Sequence, residues 1–343
     1  MNQYLFLLFS RSPRRIRVVE NILQNHRTQA TLFWAFNYGI LDWLGAERKL
    51  SRADFEQWLS DKRDHGLISL TEQTACLTPA GLHRQKGVLD NFYQPHFSQW
   101  TWLTNPSDYA DRFSLGIQAL SELIHGEKQY TPLNLSLTGM GKVRDWLLTG
   151  NLQEPVSQTL MTIGSALEKV DPRLATMFAN ELFGYHLTGW TIEQAAAQLH
   201  VQVEEAAMMD RDVWLGVAHL VQQQGGPLWN LMADLTAPMP VAKSTWQTVQ
   251  EFRAGKSIEQ IARLRHLKAS TIREHLLEAA IIIPDALDWE RLMPKEKLDR
   301  LSQQYSGPAL KWQFQAPTDG DSGAAFFDFR LLQILRRWQG DEK

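Results

Sequence analysis

Apolar positions in this chain recur mostly at helical spacing. Val156, Leu160, Ile163, Leu167 and Val170 form one stripe, the signature of an amphipathic helix. Asp171-Pro172 breaks it, and Leu174, Phe178, Leu182 and Tyr185 carry a second. A third helix is expected over about 204–224, stopped by Gly225-Gly226-Pro227. Nearer the N-terminus, residues 31–44 read as an apolar helix crowded with Phe33, Trp34, Phe36, Leu41 and Trp43. Ser51 is placed to cap the next helix, with Asp54 three residues on. Phe55, Trp58 and Leu59 then share a face, and Gly66 ends the run. Residues 67–70 and 75–78, joined by a polar turn and closed by Pro79 and Gly81, predict a small hairpin. A helix followed by a short hairpin is the outline of a winged helix. Residues 4–9 read as a first buried strand or helix, far too short to span a bilayer.

The pattern is sharpest over 244–283. Ser244 or Thr245 is expected to cap a helix whose Trp246, Val249 and Phe252 share a face, and Gly255 ends it. Ser257 caps a second helix with Ile258, Ile261, Ala262 and Leu264 apolar. After a tight turn over 265–269, a third helix starts between Ala269 and Thr271, with Glu274 able to close a capping box on Thr271. Ile272 and Leu276 are its buried pair. Two helices crossing at a short turn need a small residue at the contact, which Ala262 supplies. The segment Ala237-Pro238-Met239-Pro240 is the natural linker before this module. Across it lies a weak repeat: Gly189–His200 aligns with Gly255–His266, identical at 6 of 12 positions.

The residues 255–262, then Arg265, Leu267 and 271–276, resemble the helix-turn-helix at the C-terminus of RecQ-type DNA helicases. That resemblance extends through Asp288, Leu292 and 327–335, about a hundred residues. The whole chain is similar to the YpbB-like proteins of Firmicutes, in which this module stands behind a helical N-terminal region. The resemblance implies a working connection with a RecQ-type helicase. No helicase motor is present.

Charge requires any phosphate-facing surface to be local. The chain carries 35 Lys and Arg against 38 Asp and Glu, which excludes non-specific polyanion binding by the whole protein. Residues 111–240 are acidic, with 7 basic and 14 acidic side chains. Between Lys243 and Arg273 there are 7 basic and 2 acidic residues. Lys256, Arg263, Lys268 and Arg273 would lie near the turn and recognition helix, where cations neutralise phosphates and release counterions. Ser270 and Thr271 would bond phosphates at the helix N-terminus, and Arg273 would reach a phosphate or a base edge. Glu274 opposes this by adding negative charge, and His275 reads as a packing residue.

Other features are weaker. Arg11, Arg14, Arg15 and Arg17 read as a solvated or carboxylate-paired face, with an accessory phosphate contact as the alternative. The hairpin has no Lys or Arg between Leu67 and Thr78, so that element reads as scaffold or protein contact. The 13 Trp fall mostly on amphipathic stripes and read as core, and Glu204-Glu205 reads as a solvated face. Gly139-Met-Gly141-Lys142 fails the phosphate-loop pattern, because Ser136 and Val143 occupy its first and last defining positions. A single Cys76 excludes an intramolecular disulfide framework and fits a cytoplasmic setting. No metal or nucleophile motif is legible, so no enzyme, metal or cofactor is expected.

The expected fold is mainly α: a winged-helix-like N-terminal module over 1–110, an acidic helical region over 111–236 and a helix-turn-helix domain over 242–340. The expected function is that of a non-catalytic DNA-binding accessory protein acting with a RecQ-type helicase in repair or recombination. Its DNA is duplex or junction, with no membrane and no small-molecule substrate evident. Two alternatives remain open: a helicase adaptor without DNA contact, and a sequence-specific transcription regulator.

Overall fold

A computed structural model describes residues 2–340. Regular structure among them comprises seventeen α-helices, short 3-10 turns and one three-stranded sheet, so the fold is mainly α. After a buried 3-10 turn, Tyr4–Leu8, come β1 (Arg14–Arg15), α1 (Ile16–Leu23), α2 (Gln29–Tyr38), α3 (Arg52–Asp64), β2 (Ile68–Leu70), β3 (Thr74–Leu77) and α4 (Pro79–Asn91). Then follow α5 (Pro106–Ile124), α6 (Leu137–Leu147), α7 (Gln153–Val170), α8 (Pro172–Glu181), α9 (Ile192–Leu199), α10 (Val203–Gln224) and α11 (Gly226–Met232). The C-terminal helices are α12 (Lys243–Arg253), α13 (Ile258–Arg265), α14 (Ala269–Ile282), α15 (Trp289–Leu292), α16 (Lys295–Gln304) and α17 (Ser322–Gln339).

Two compact units form. One holds the described residues up to Asn25 together with Asp42–Pro238; the other holds His26–Leu41 and the described residues from Met239 onward. The break near Pro238 falls in the proline-rich segment read as a linker. This division does not separate 1–110 from 111–236, and it gives α2 to the C-terminal unit.

In the first unit, α3 and the β2–β3 hairpin have the winged-helix outline. Ser51 caps α3 through Asp54 N at 3.1 Å, as its spacing predicts. The sheet order is β1-β3-β2, with Arg14 opposite Ala75 and Ile68 opposite Leu77. The arginines around β1 are held locally: Arg14 donates to Leu8 O at 2.7 Å and Arg17 pairs with Glu20 at 2.5 Å. The rest of this unit is built around α10, against which α5, α7, α8 and α9 pack. Val213, Leu215, Val217, Ala218 and Val221 on α10 are fully buried. Gly216 lets the Phe97 ring approach, since a Cβ there would lie 2.7 Å from it. Asp212, also buried, accepts from the Tyr93 hydroxyl at 2.5 Å and from the amides of His96 and Phe97 at 2.7 and 2.8 Å. That satisfies a carboxylate whose burial is otherwise costly.

Several boundaries differ from the sequence pattern. Residues 31–44 are not one helix: α2 stops at Gly39, whose φ of 66° is left-handed. The second stripe also ends early, because Leu182 is extended and Gly184 bridges Leu187 in a tight turn. Glu205 is not solvated; it is buried, accepts from Tyr93 N at 3.0 Å and lies 3.8 Å from Arg173.

Candidate nucleic-acid interface

The C-terminal unit is organised by α14, which touches α12, α13, α17 and α2. Ile272 and Leu276 are fully buried, as are Val249 on α12 and Ile261 on α13. A second buried face of α14, with Leu277, Ala280 and Ile281, accounts for the additional helices over it. On α17, Arg330 lies 4.0 Å over the Phe33 ring and Trp338 packs 4.9 Å from Phe36, so α2 is part of this core.

The helix-turn-helix is set by local chemistry. Ser257 Oγ accepts from Gln260 N at 3.2 Å while Gln260 Oε1 accepts from Ser257 N at 2.8 Å, a complete capping box. His266 ends α13 in the left-handed region at φ 54°, and Leu267 N donates back to Ala262 O at 3.0 Å. Lys268 is the N-cap of α14, and no side chain caps that end. The anticipated box between Thr271 and Glu274 is therefore absent, since Thr271 already lies inside the first turn. Ser244 and Thr245 do not cap α12 either, because its N-cap is Ala242. Ser244 Oγ accepts from Arg265 at 2.8 Å, and Thr245 Oγ1 donates to Glu278 at 2.6 Å.

The basic residues divide into two groups. Arg263 and Lys268 are exposed on either side of the turn, with Ser270 exposed and Thr271 half-buried on the first turn of α14. Arg263 lies on the last turn of α13, and the other three lie at the uncapped start of α14. Lys256 is instead paired with Glu251. Arg273 is drawn into an ion pair with Asp321, Nη2 to Oδ2 at 2.6 Å, and its side chain is only 14% exposed. It does not project outward as its position beside Ile272 suggested. Asp321 also caps α17 through Gly323 N and Ala324 N, and Arg273 holds its carboxyl below the ordinary range. Glu274 is exposed beside Ser270.

Two structural arginines were not anticipated. Arg265 donates to Ser244 O at 2.8 Å and to Gln247 Oε1 at 3.1 Å, and also bonds Thr248, locking α13 onto α12. Its place four residues after the buried Ile261 was the available signal. Arg291 donates to Phe252 O, Gly255 O and Lys256 O at 2.5, 2.7 and 2.7 Å, closing the end of α12. His275 is a packing residue: its ring bonds Thr248 Oγ1 at 2.8 Å, and burial, helped by Arg265, lowers its pKa.

The repeat has the same turn. Thr191 and Gln194 form a second capping box, His200 ends α9 at φ 57°, and Val201 N donates to Ala196 O at 3.0 Å. In both copies the next helix begins three residues after the histidine.

The helix-turn-helix domain family matches residues 244–312, which covers this trihelical unit and α15 and α16 behind it. Over 279 residues the chain is 23% identical to Protein YpbB of Bacillus subtilis (strain 168), spanning 78% of this chain and 77% of that protein. No solved structure matches. The chain is thus YpbB-like over most of its length and carries a helix-turn-helix domain in its C-terminal region.

Proposed function

We propose that the protein is a non-catalytic DNA-binding accessory factor that grips duplex or junction DNA through its C-terminal helix-turn-helix. The observation that carries this reading is the N-terminus of α14, which no side chain caps, with Lys268 and Ser270 exposed at it and Arg263 exposed across the turn. Free peptide N–H groups, the helix dipole and two cations together favour a phosphate. In helix-turn-helix docking, this end of the second helix enters the major groove. Lys256 and Arg273 are engaged in ion pairs with Glu251 and Asp321.

The finer reading places this factor with a RecQ-type helicase in repair or recombination. It rests on the likeness of residues 255–276 to the corresponding helicase module. A protein carrying such a module without a motor would offer the helicase a second hold on the same DNA. An adaptor role without DNA contact draws on Glu274 and on the internal commitment of Arg273, which thin the cationic surface.

Fluorescence anisotropy of the full chain on single-stranded, duplex and forked DNA at two salt concentrations tests the proposal. Salt-sensitive binding with duplex or fork preferred supports it. Absence of binding at low salt, together with co-purification of a helicase, moves the function to the adaptor reading.

A further inference from the structure

The first unit contains an acidic cavity that the DNA-binding reading leaves unused. Its volume is about 350 Å³, and it is walled by Trp190, Trp214 and Phe183 with Asp111, Glu181 and Asp210 among its lining residues. No Lys, Arg or His among the described residues lines it. The sequence hides the arrangement, because its acids come from three different helices. Glu181 is the last residue of α8, Asp210 lies on α10 and Asp111 on α5. The turn after α8 is drawn back tightly: Trp190 N donates to Asn180 O at 2.8 Å, and a Cβ on Gly189 would meet Glu181 O at 2.4 Å. That turn brings the Trp190 indole to the cavity wall.

Glu181 is 8% exposed, and its Oε2 has no hydrogen-bond partner. Asp210 is held by the Trp214 indole, Nε1 to Oδ1 at 3.1 Å. Buried carboxylates normally face a cation or a set of donors. Here Asp210 has one indole N–H, Glu181 neighbours Asp210, and no cation lines the cavity, whose aromatic walls offer faces that attract one. We infer that this cavity is a binding site for an alkylammonium or guanidinium group, presented either by a free polyamine-type molecule or by a Lys or Arg side chain of a partner protein. The cation would sit against the aromatic walls near Glu181 and Asp210, with the exposed Asp111 also lining the cavity.

Electrostatics give the site a second signature. Burial, and then the neighbouring Asp210, raise the Glu181 pKa, while burial raises that of Asp210 despite the Trp214 hydrogen bond. Burial also raises Asp111, with Asp108 adding to it and Lys49 opposing it. The pair therefore retains a proton near neutral pH, and an entering cation displaces it. Binding should release a proton and tighten as pH rises.

Isothermal titration calorimetry on the full chain tests the site with agmatine, putrescine, acetyl-Gly-Arg-Gly-amide and acetyl-Gly-Lys-Gly-amide. Each is run in phosphate and in Tris at one pH. Saturable binding with a buffer-dependent heat is expected for at least one probe. Binding of the amines alone assigns a free molecule, and binding of the blocked peptides assigns a partner side chain. Glu181→Gln keeps the shape and should weaken binding by about tenfold or more. Asp111→Asn, at an exposed position, should weaken it by about threefold without threatening the fold. The site is overturned by no heat with any probe, by buffer-independent heat, or by unchanged affinity in Glu181→Gln. Should that variant not fold, unchanged affinity in Asp111→Asn overturns it equally.

Discussion

Removing Arg263 and Lys268 together is the most direct probe of the candidate interface. Of the seven basic residues between Lys243 and Arg273, Lys256 and Arg273 are ion-paired and Arg265 is bonded into α12. Lys243, Arg253, Arg263 and Lys268 remain exposed, which sets four phosphate contacts as the ceiling for this segment. Each neutralised phosphate adds about −0.9 to the slope of log affinity against log salt, so four give about −3.6. Between roughly 50 and 200 mM salt, that slope costs about 150-fold in affinity. Arg263→Ala with Lys268→Ala leaves a ceiling of two contacts, a slope of about −1.8 and a loss of about 12-fold over the same range. Anisotropy titrations on one duplex across that salt series measure both slopes. Arg273→Ala serves as the contrast: its guanidinium belongs to Asp321, so the slope should stay as it is. A double variant that keeps the original slope, or an Arg273→Ala slope that falls by about one, refutes the assignment.

Three stability predictions follow from the same contacts. Arg265→Ala removes the charged hydrogen bonds that join α13 to Ser244 O and the Thr248 hydroxyl and should destabilise the C-terminal unit by about 1.5–3 kcal/mol in urea unfolding. Gly81→Ala sets a Cβ 2.0 Å from Leu67 O, a backbone atom that cannot step aside. It should lower the stability of the first unit by about 2 kcal/mol or more, read as a shifted thermal midpoint. The raised Glu181 pKa makes the folded chain hold a proton that the unfolded chain releases above its ordinary value of 4.5. Stability therefore falls as pH rises through that interval. Urea midpoints at pH 5 and pH 8 should show a smaller loss in Glu181→Gln than in the unaltered chain; an equal loss would contradict the burial of a protonated carboxyl.

What was legible in the sequence was local. The Ser257–Gln260 box, the break at Asp171-Pro172 and the 68–77 hairpin each depend on residues within a few positions of one another, where spacing fixes the geometry. What was missed depended on distance along the chain. Arg273 meets Asp321 across 48 residues, and nothing near Ile272 announces that partner. A partial signal was present: residues 276–283 are apolar nearly all round, which is the pattern of a helix covered on more than one side. The helices covering it include α17 and also α2, whose own aromatic crowding was read as belonging to the N-terminal module. Glu181 and Asp210 lie on different helices, and only the fold brings them together.

The two copies of the turn show why a shared geometry does not confer a shared role. Both have the capping box, the left-handed histidine and a helix starting three residues later. They differ in what occupies the first turn of that following helix. After His266 it holds Lys268, Ser270 and Thr271, with the end uncapped by any side chain. After His200 it holds Gln202, Glu204 and Glu205, and both glutamates are engaged: Glu204 accepts from Gln3 N at 3.0 Å and Glu205 accepts from Tyr93 N. Carboxylates already occupy the anion-favouring end of α10, so a phosphate there would meet two negative charges instead of free amides. The same local code therefore builds a joint engaged by carboxylates in one unit and a helix end that no side chain caps in the other. The residues that decide between these outcomes are the first three after each turn, not the residues that make it.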